Sequence, residues 1–177
     1  MAKKDELARI LAGCKNGDHD CFSQLVDLYA SRCYGYFYRL TGNRDLSDDL
    51  LSELFVKLVE KINSYRGGMF ESWLFRIASN IFNDHLRSKQ RRARLIEVHT
   101  KQVEEQLPIE PKSSEDDKTD KLQKHLGKLD DDTRSLVMLR FYSQMTLREI
   151  AESRSEPIGT TLSKLHRTLK RLRRMME

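Results

Sequence analysis

Arg76, Asn80, Asn83, Asp84, Arg87, Arg91 and Arg94 recur at steps of three, four and one along the chain. At about 100° per residue they share one stripe of a helix. Amides hydrogen-bond base edges and guanidinium groups bind phosphate or guanine, so such a stripe can read nucleic acid. A plain solvated helix face has the same composition, and the rest of the chain must decide between the two. The same stretch, Phe70–Arg92, carries Phe70, Trp73, Leu74, Ile77, Ala78, Ile81, Phe82, His85 and Leu86 at complementary spacing. That periodicity predicts a core-facing side, with Trp73 read first as core and only secondarily as a stacking wedge.

The elements around this helix offer two further surfaces. Before it, Asn63–Met69 holds Tyr65, Arg66 and a Gly67-Gly68 pair, a break that is either an ordinary interhelical turn or a pocket in which Tyr65 stacks one unpaired base. Upstream, Leu46, Leu50, Leu51, Leu54, Phe55, Leu58, Val59 and Ile62 form two adjacent i,i+4 rows on a helix for which Asp45 or Ser47 is the expected cap, with Asp48 and Asp49 in its first turn. One row suffices for a small bundle core. The second, Leu51, Phe55 and Val59, flanked by Asp48 and Ser52, is either extra core or a face for another protein. Phe22 to Leu40 supply the core face of a preceding helix that stops at Thr41-Gly42-Asn43, and residues 1–21 read as a short helix or loose arm.

Charge is segregated. The 177 residues carry a net charge of +5, with five basic side chains between Arg87 and Arg94 and six from Lys164 to Arg174. Between them, Glu97–Asp120 holds eight acids against three lysines, plus prolines and serines. This composition predicts a flexible acidic linker, over 96–120, between two basic modules and points to a polyanionic partner. Cys14, Cys21 and Cys33 show no CxxC spacing; free thiols are favoured over a metal site with His19, and with no signal peptide the expected compartment is the cytoplasm. No apolar run reaches the ~20 residues of a membrane span. No nucleophile–base pair, metal quartet or phosphate loop is present, so neither an enzyme nor a cofactor is expected.

The second module, 121–177, reads as helices. Leu122, Leu126 and Leu129 mark one, and Asp130-Asp131-Asp132 opens another with Leu136, Val137, Leu139 and Phe141 apolar. Thr146-Leu147-Arg148-Glu149 is a capping box. After a turn at Ser153–Glu156, Pro157 fits the first position of a last helix with Ile158, Thr161, Leu162, Leu165, Leu169, Leu172 and Met176 inward, and Thr160, Lys164, Arg167, Arg171 and Arg174 opposite. Two short helices, the second basic, make a helix-turn-helix pattern. The expected fold is all-α, a helical bundle over 22–95 and a helix-turn-helix domain.

With both modules in view, the chain resembles the bacterial RNA polymerase sigma factors of the sigma-70 family, in the small extracytoplasmic-function group. The resemblance rests on LTGNRDLSDDLLSELFVKL (Leu40–Leu58), YRGGMFESWLFRIASNIFNDHLR (Tyr65–Arg87), TLREIAE (Thr146–Glu152) and GTTLSKLHR (Gly159–Arg167), in this order and at these separations. It implies a binding subunit that directs core polymerase to −35 and −10 promoter elements and promotes melting. Asp48, Asp49, Leu51, Ser52, Phe55 and Val59 would contact the clamp helices of the largest subunit, and the flap of the second-largest subunit would be a further contact. Tyr65, Arg66, Arg76, Asn80, Asn83, Arg87, Arg91 and Arg92 would bind the start-proximal element, and Thr160, Ser163, Lys164, Arg167 and Arg171 the upstream one. An anti-sigma factor is the other partner the resemblance implies.

The chain departs from the family pattern in the helix-turn-helix turn, where Arg154, Ser155 and Glu156 stand for the usual Leu-Gly-Ile, Thr161 for an apolar Val and Ile158 for a polar residue. Ser52 stands where Gln is common. Polar atoms where packing and a left-handed glycine are expected predict a shifted or weakened turn. The competing class is a polymerase-independent helix-turn-helix regulator, which needs tight duplex binding by the chain alone and usually a dimer interface.

Overall fold

The computed structural model describes residues 2–99, 117–143 and 145–176, and among these there are α-helices and one 3₁₀ turn but no strand. The chain divides into two compact units, Met1–Ala78 and Ser79–Glu177. In order the helices are α1 (Ala2–Lys15), α2 (His19–Thr41), α3 (Arg44–Lys61), the 3₁₀ turn Ile62–Ser64, α4 (Phe70–His99), α5 (Asp117–Gly127), α6 (Asp131–Phe141), α7 (Leu147–Ser153) and α8 (Ile158–Met176). The boundary between the units falls inside α4.

In the first unit the N-terminal segment is a docked helix. Ile10, Leu11 and Cys14 of α1 are buried, and α1 approaches α2 so closely that a Cβ on Gly13 would collide with Cys21 Sγ. Asp18 caps α2 by accepting from the amides of Asp20 and Cys21, and Gly42 ends it in the left-handed region at φ 66°. Leu25, Cys33, Phe37 and Leu40 of α2 face Leu50, Leu54 and Leu58 of α3, all at or below 3 % exposure. Burying each such side chain contributes about 1.5–3 kcal/mol. The start of α4 packs on α2 through Tyr36 and Phe75, whose rings meet edge-on at 5.2 Å, and through an Arg32–Glu71 ion pair of 2.7 Å.

The cap of α3 lies two to four residues before the expected position. Asn43, not Asp45 or Ser47, accepts from the Leu46 amide at 2.9 Å, which leaves only Asp45 in the first turn and moves Asp48 and Asp49 outward along the helix. Ser47 is instead buried, its hydroxyl bonded to the Asn43 carbonyl and to Thr41 Oγ1. α4 also outruns the pattern that fades after Arg94, continuing to His99; α5 begins at Asp117. The linker thus loses both its ends to helices, and 100–116 lie outside the described residues.

In the second unit, α8 packs on α5, α6 and α7. Buried Arg134 of α6 donates to the carbonyls of Leu126, near the end of α5, and of Leu129, in the turn after it, at 2.9 and 2.8 Å, tying that turn to α6. Asp130 caps α6 through the Thr133 amide, and the capping box of α7 is complete: the Thr146 amide donates to Glu149 Oε2 at 2.8 Å and the Glu149 amide to Thr146 Oγ1 at 3.2 Å. Of the apolar residues of α6, Leu136, Val137 and Leu139 are buried, whereas Phe141 at its end is 61 % exposed.

α8 is rotated from its apolar pattern. Thr161, Leu165, Thr168 and Leu172 are buried, whereas Ile158 and Leu162 are more than half exposed and Leu169 and Met176 are also outside. Two threonines can line the core because each returns its hydroxyl to the helix, Thr161 to the Pro157 carbonyl at 3.4 Å and Thr168 to that of Lys164 at 2.8 Å. Pro157 lies just before the helix, its carbonyl accepting from the amides of Thr160 and Thr161.

Candidate nucleic-acid and partner interfaces

α4 presents its polar stripe as expected along most of its length. Asn80, Arg87, Arg91, Arg92 and Arg94 are exposed and Asn83 is half-buried, while Leu74, Phe75, Ala78, Ile81 and Phe82 are buried on the other side. Arg87 reaches Asp84 at 3.4 Å with both side chains about three-quarters exposed, a pair that water screens heavily and that a phosphate can displace. Arg76 differs from the rest: it is half-buried, and its Nε is enclosed without a hydrogen-bond partner.

The loop before α4 is not arranged as a base pocket lined by Tyr65. Tyr65 is 8 % exposed, its ring flanked by Phe70 and Trp73 at centroid distances of 5.4 Å, and its hydroxyl donates to the Gly68 carbonyl at 2.7 Å. Burial holds that phenol above its ordinary ionisation range. With its ring buried against Phe70 and Trp73 and its hydroxyl on the Gly68 carbonyl, Tyr65 pins the loop. Gly67 and Gly68 adopt φ of 100° and 90°, which L side chains rarely adopt, and they carry the exposed Arg66 and Met69 around the turn. Trp73 is half-buried in the same aromatic group, partly core and partly surface.

On α3 the two apolar rows separate. Leu50, Leu54 and Leu58 form the core, whereas Leu51 and Phe55 are half-buried and Val59 is 54 % exposed. Asp48, Asp49 and Ser52 surround them in solvent, Ser52 Oγ returning to the Asp48 carbonyl at 2.9 Å. Val56, 58 % exposed, extends this apolar strip. It belongs to neither i,i+4 row, and the only sign of it in the sequence is an apolar residue among Ser52, Glu53 and Lys57.

On α8 Thr160, Ser163, Arg167 and Arg171 are exposed, Arg167 bonding to the Ser163 carbonyl and Arg171 to that of Lys128. Lys164 is set apart. Its ammonium lies 2.9 Å from Glu156 Oε1 and 3.4 Å from Asp132 Oδ2, and the bond to Glu156 holds it above the ordinary lysine range. Arg154, whose side chain is 5 % exposed, pairs with the same Asp132 and, at 3.3 Å, with the same Glu156. Ser155 takes the left-handed conformation at φ 52°, and the Arg154 guanidinium reaches Glu156 Oε1 and Asp132 of α6, while Arg154 Nε and Glu156 Oε2 are buried without a hydrogen-bond partner. Periodicity carried no signal for Asp132, Arg154 or Glu156.

Among the described residues no group of His, Cys, Asp or Glu could hold a metal ion, and the three cysteines are free and buried. Burial pushes the Cys33 thiol up to about 12 and the Cys14 thiol up to about 11. No described helix is long and apolar enough to cross a membrane.

Two family models match the chain, Sigma-70 region 2 over residues 25–92 and Sigma-70, region 4 over residues 125–174, together about two thirds of its length. The chain is 28 % identical over 172 residues to the ECF RNA polymerase sigma factor SigW of Bacillus subtilis (strain 168), covering 92 % of each protein. It is 31 % identical over 157 residues to the ECF RNA polymerase sigma factor SigE of Mycolicibacterium smegmatis, covering 86 % of this chain and 60 % of that one. Among solved structures it is similar to the sigma factor RpoE of Bartonella quintana in complex with the anti-sigma factor NepR, with a TM-score of 0.70 and 25 % identity, covering 88 % of this chain and 96 % of that one.

Proposed function

The chain belongs to the sigma-70 family, in its extracytoplasmic-function group, and on that premise we propose how its surfaces divide the work of starting transcription. It is a sigma factor, binding core RNA polymerase and recognising promoter DNA. The α3 strip of Leu51, Phe55 and Val59 with Asp48, Asp49 and Ser52 docks on the clamp helices of the largest polymerase subunit. Arg87, Arg91 and Arg92 hold phosphates while Asn80 and Asn83, with Arg76 and loop residue Arg66, bind bases of the opened start-proximal element. Thr160, Ser163, Lys164, Arg167 and Arg171 of α8 face the upstream element, and the flap of the second-largest subunit contacts the second unit.

Melting costs a few kcal/mol per unstacked step, and binding energy available only to the single strand offsets it. No bond is made or broken by the protein itself. Working with polymerase places it in the cytoplasm. An anti-sigma factor, of the kind bound to the similar Bartonella protein, is the expected regulator.

The observation that carries this reading is the separation of rows on α3, which leaves an apolar strip of Leu51, Phe55 and Val59 outside the core that Leu50, Leu54 and Leu58 complete. A regulator acting without polymerase has no use for that strip. Purified chain and core polymerase are mixed with promoter DNA: initiation at a defined start with both, and with neither alone, is expected. Failure to form any complex with core polymerase overturns the reading.

A further inference from the structure

Lys164 sits on the face of α8 that meets the upstream element under the proposed function, yet its charge is already spoken for within the fold. Each carboxylate of Asp132 and Glu156 bridges Lys164 and Arg154, giving a four-membered network with two positive and two negative charges. Arg154 is the fixed member, since its guanidinium is almost wholly enclosed and also donates to the Asp132 backbone carbonyl at 3.4 Å. It anchors Glu156, one-fifth exposed, beside Lys164, one-third exposed. A phosphate approaching Lys164 therefore meets a lysine held by two carboxylates, one of them, Asp132, well exposed.

We propose that Asp132 and Glu156 are specificity-determining residues for upstream-element binding, acting by withholding the Lys164 ammonium from the DNA backbone. Contacts of lysine and arginine with phosphate supply the sequence-independent part of DNA affinity, each adding about 0.9 to the slope of log affinity against log salt. Neutralising one such contact and placing carboxylate charge beside it weakens binding to every duplex, and the correct one recovers the loss through base-edge contacts made by its neighbours on α8. Arg167 and Arg171, bonded to backbone carbonyls, remain available to phosphate. Arg154 is a positioning residue in this scheme, acting through the carboxylates it holds.

The inference rests on the proposed function, and the experiment separates the two. Holoenzyme assembled from core polymerase and the full chain is titrated, at a temperature that keeps complexes closed, with promoter duplex and with the same duplex carrying a scrambled upstream element. Glu156→Gln, which keeps size and shape, should tighten binding to the scrambled duplex, reduce discrimination, and steepen the salt slope by about one. That slope change is worth about three- to fourfold in affinity between roughly 50 and 200 mM salt. Adding Lys164→Met to Glu156→Gln should return the slope to the wild-type value, which a purely structural role of Glu156 would not do. Asp132→Asn, altering an exposed carboxylate, should move both quantities in the same direction and carries the test if Glu156→Gln lowers the melting temperature. Unchanged slope and discrimination in these variants, or a change that Lys164→Met leaves in place, overturns the inference alone. Wild-type holoenzyme that does not distinguish the two duplexes overturns the assignment of α8 and this inference with it.

Discussion

Lys15 and Tyr65, fifty residues apart, are joined twice: the Lys15 ammonium donates to the Tyr65 carbonyl at 2.7 Å and lies 5.5 Å from the centre of its ring. The end of α1 thereby holds the loop that leads into α4. Lys15→Met, which keeps the aliphatic stem, should cost roughly 0.5–1 kcal/mol. It should also speed amide exchange at Gly67 and Gly68. A denaturant melt and hydrogen exchange check the two together; unchanged exchange would mean the aromatic packing of Tyr65 holds the loop unaided.

Neighbouring residues of α3 should behave differently. Leu54 is fully buried and Phe55 only half. Leu54→Ala should destabilise the fold by about 2–5 kcal/mol. Phe55→Asp should leave the helical spectrum in place but abolish capture by core polymerase, and undiminished capture would return Phe55 to the core.

On α4, Asn80 is exposed whereas Arg76 encloses its Nε. Asn80→Ala should therefore be the cleaner probe of promoter opening. It should weaken open-complex formation by about 1–3 kcal/mol, the usual worth of a good base contact, with polymerase affinity unchanged. Permanganate reactivity of melted thymines reads the first and a pull-down the second. Equal loss in both would give α4 a supporting role only.

Ser155 occupies a backbone region that suits glycine, at φ 52°. Ser155→Gly should relieve that strain, worth about 1–2 kcal/mol, less the extra entropy of glycine in the unfolded chain. The expected net gain is roughly 0.5–1 kcal/mol in the melting of the second unit. A loss of stability would mean that the serine side chain contributes more than the strain costs.

The buried thiols predict a dependence on alkaline pH. Unfolded cysteines ionise near pH ~8.5, while burial holds Cys33 to about 12 and Cys14 to about 11. The native state therefore keeps protons that the unfolded state loses. Stability from this source is complete below the unfolded value and falls as pH rises from there toward the folded values. Denaturant midpoints between pH 8 and about 10 should drift down, and less so in Cys33→Ser after its own packing cost is subtracted. A thiol reagent at neutral pH should label the native chain far more slowly than the unfolded one.

Features set by neighbouring residues were legible in the amino-acid order alone. The capping box of Thr146 and Glu149, the stop at Gly42 and the two-sided character of α4 each depend on side chains within one or two turns, so spacing suffices to find them. The family motifs are of the same local kind. What only the tertiary structure decided involves partners distant in sequence. Tyr65 turns inward because α1 and the aromatic residues of α4 provide it a carbonyl anchor and two rings. α8 packs on α5, α6 and α7 with Thr161 and Thr168 buried, leaving Ile158 and Leu162 outside. Lys164 is neutralised by Asp132, thirty-two residues before it, because Arg154 fixes the carboxylates between them. Periodicity assigns a residue to a face of its own helix; which neighbours that face meets is set by how the helices pack, and the chemistry of the interfaces follows from those neighbours.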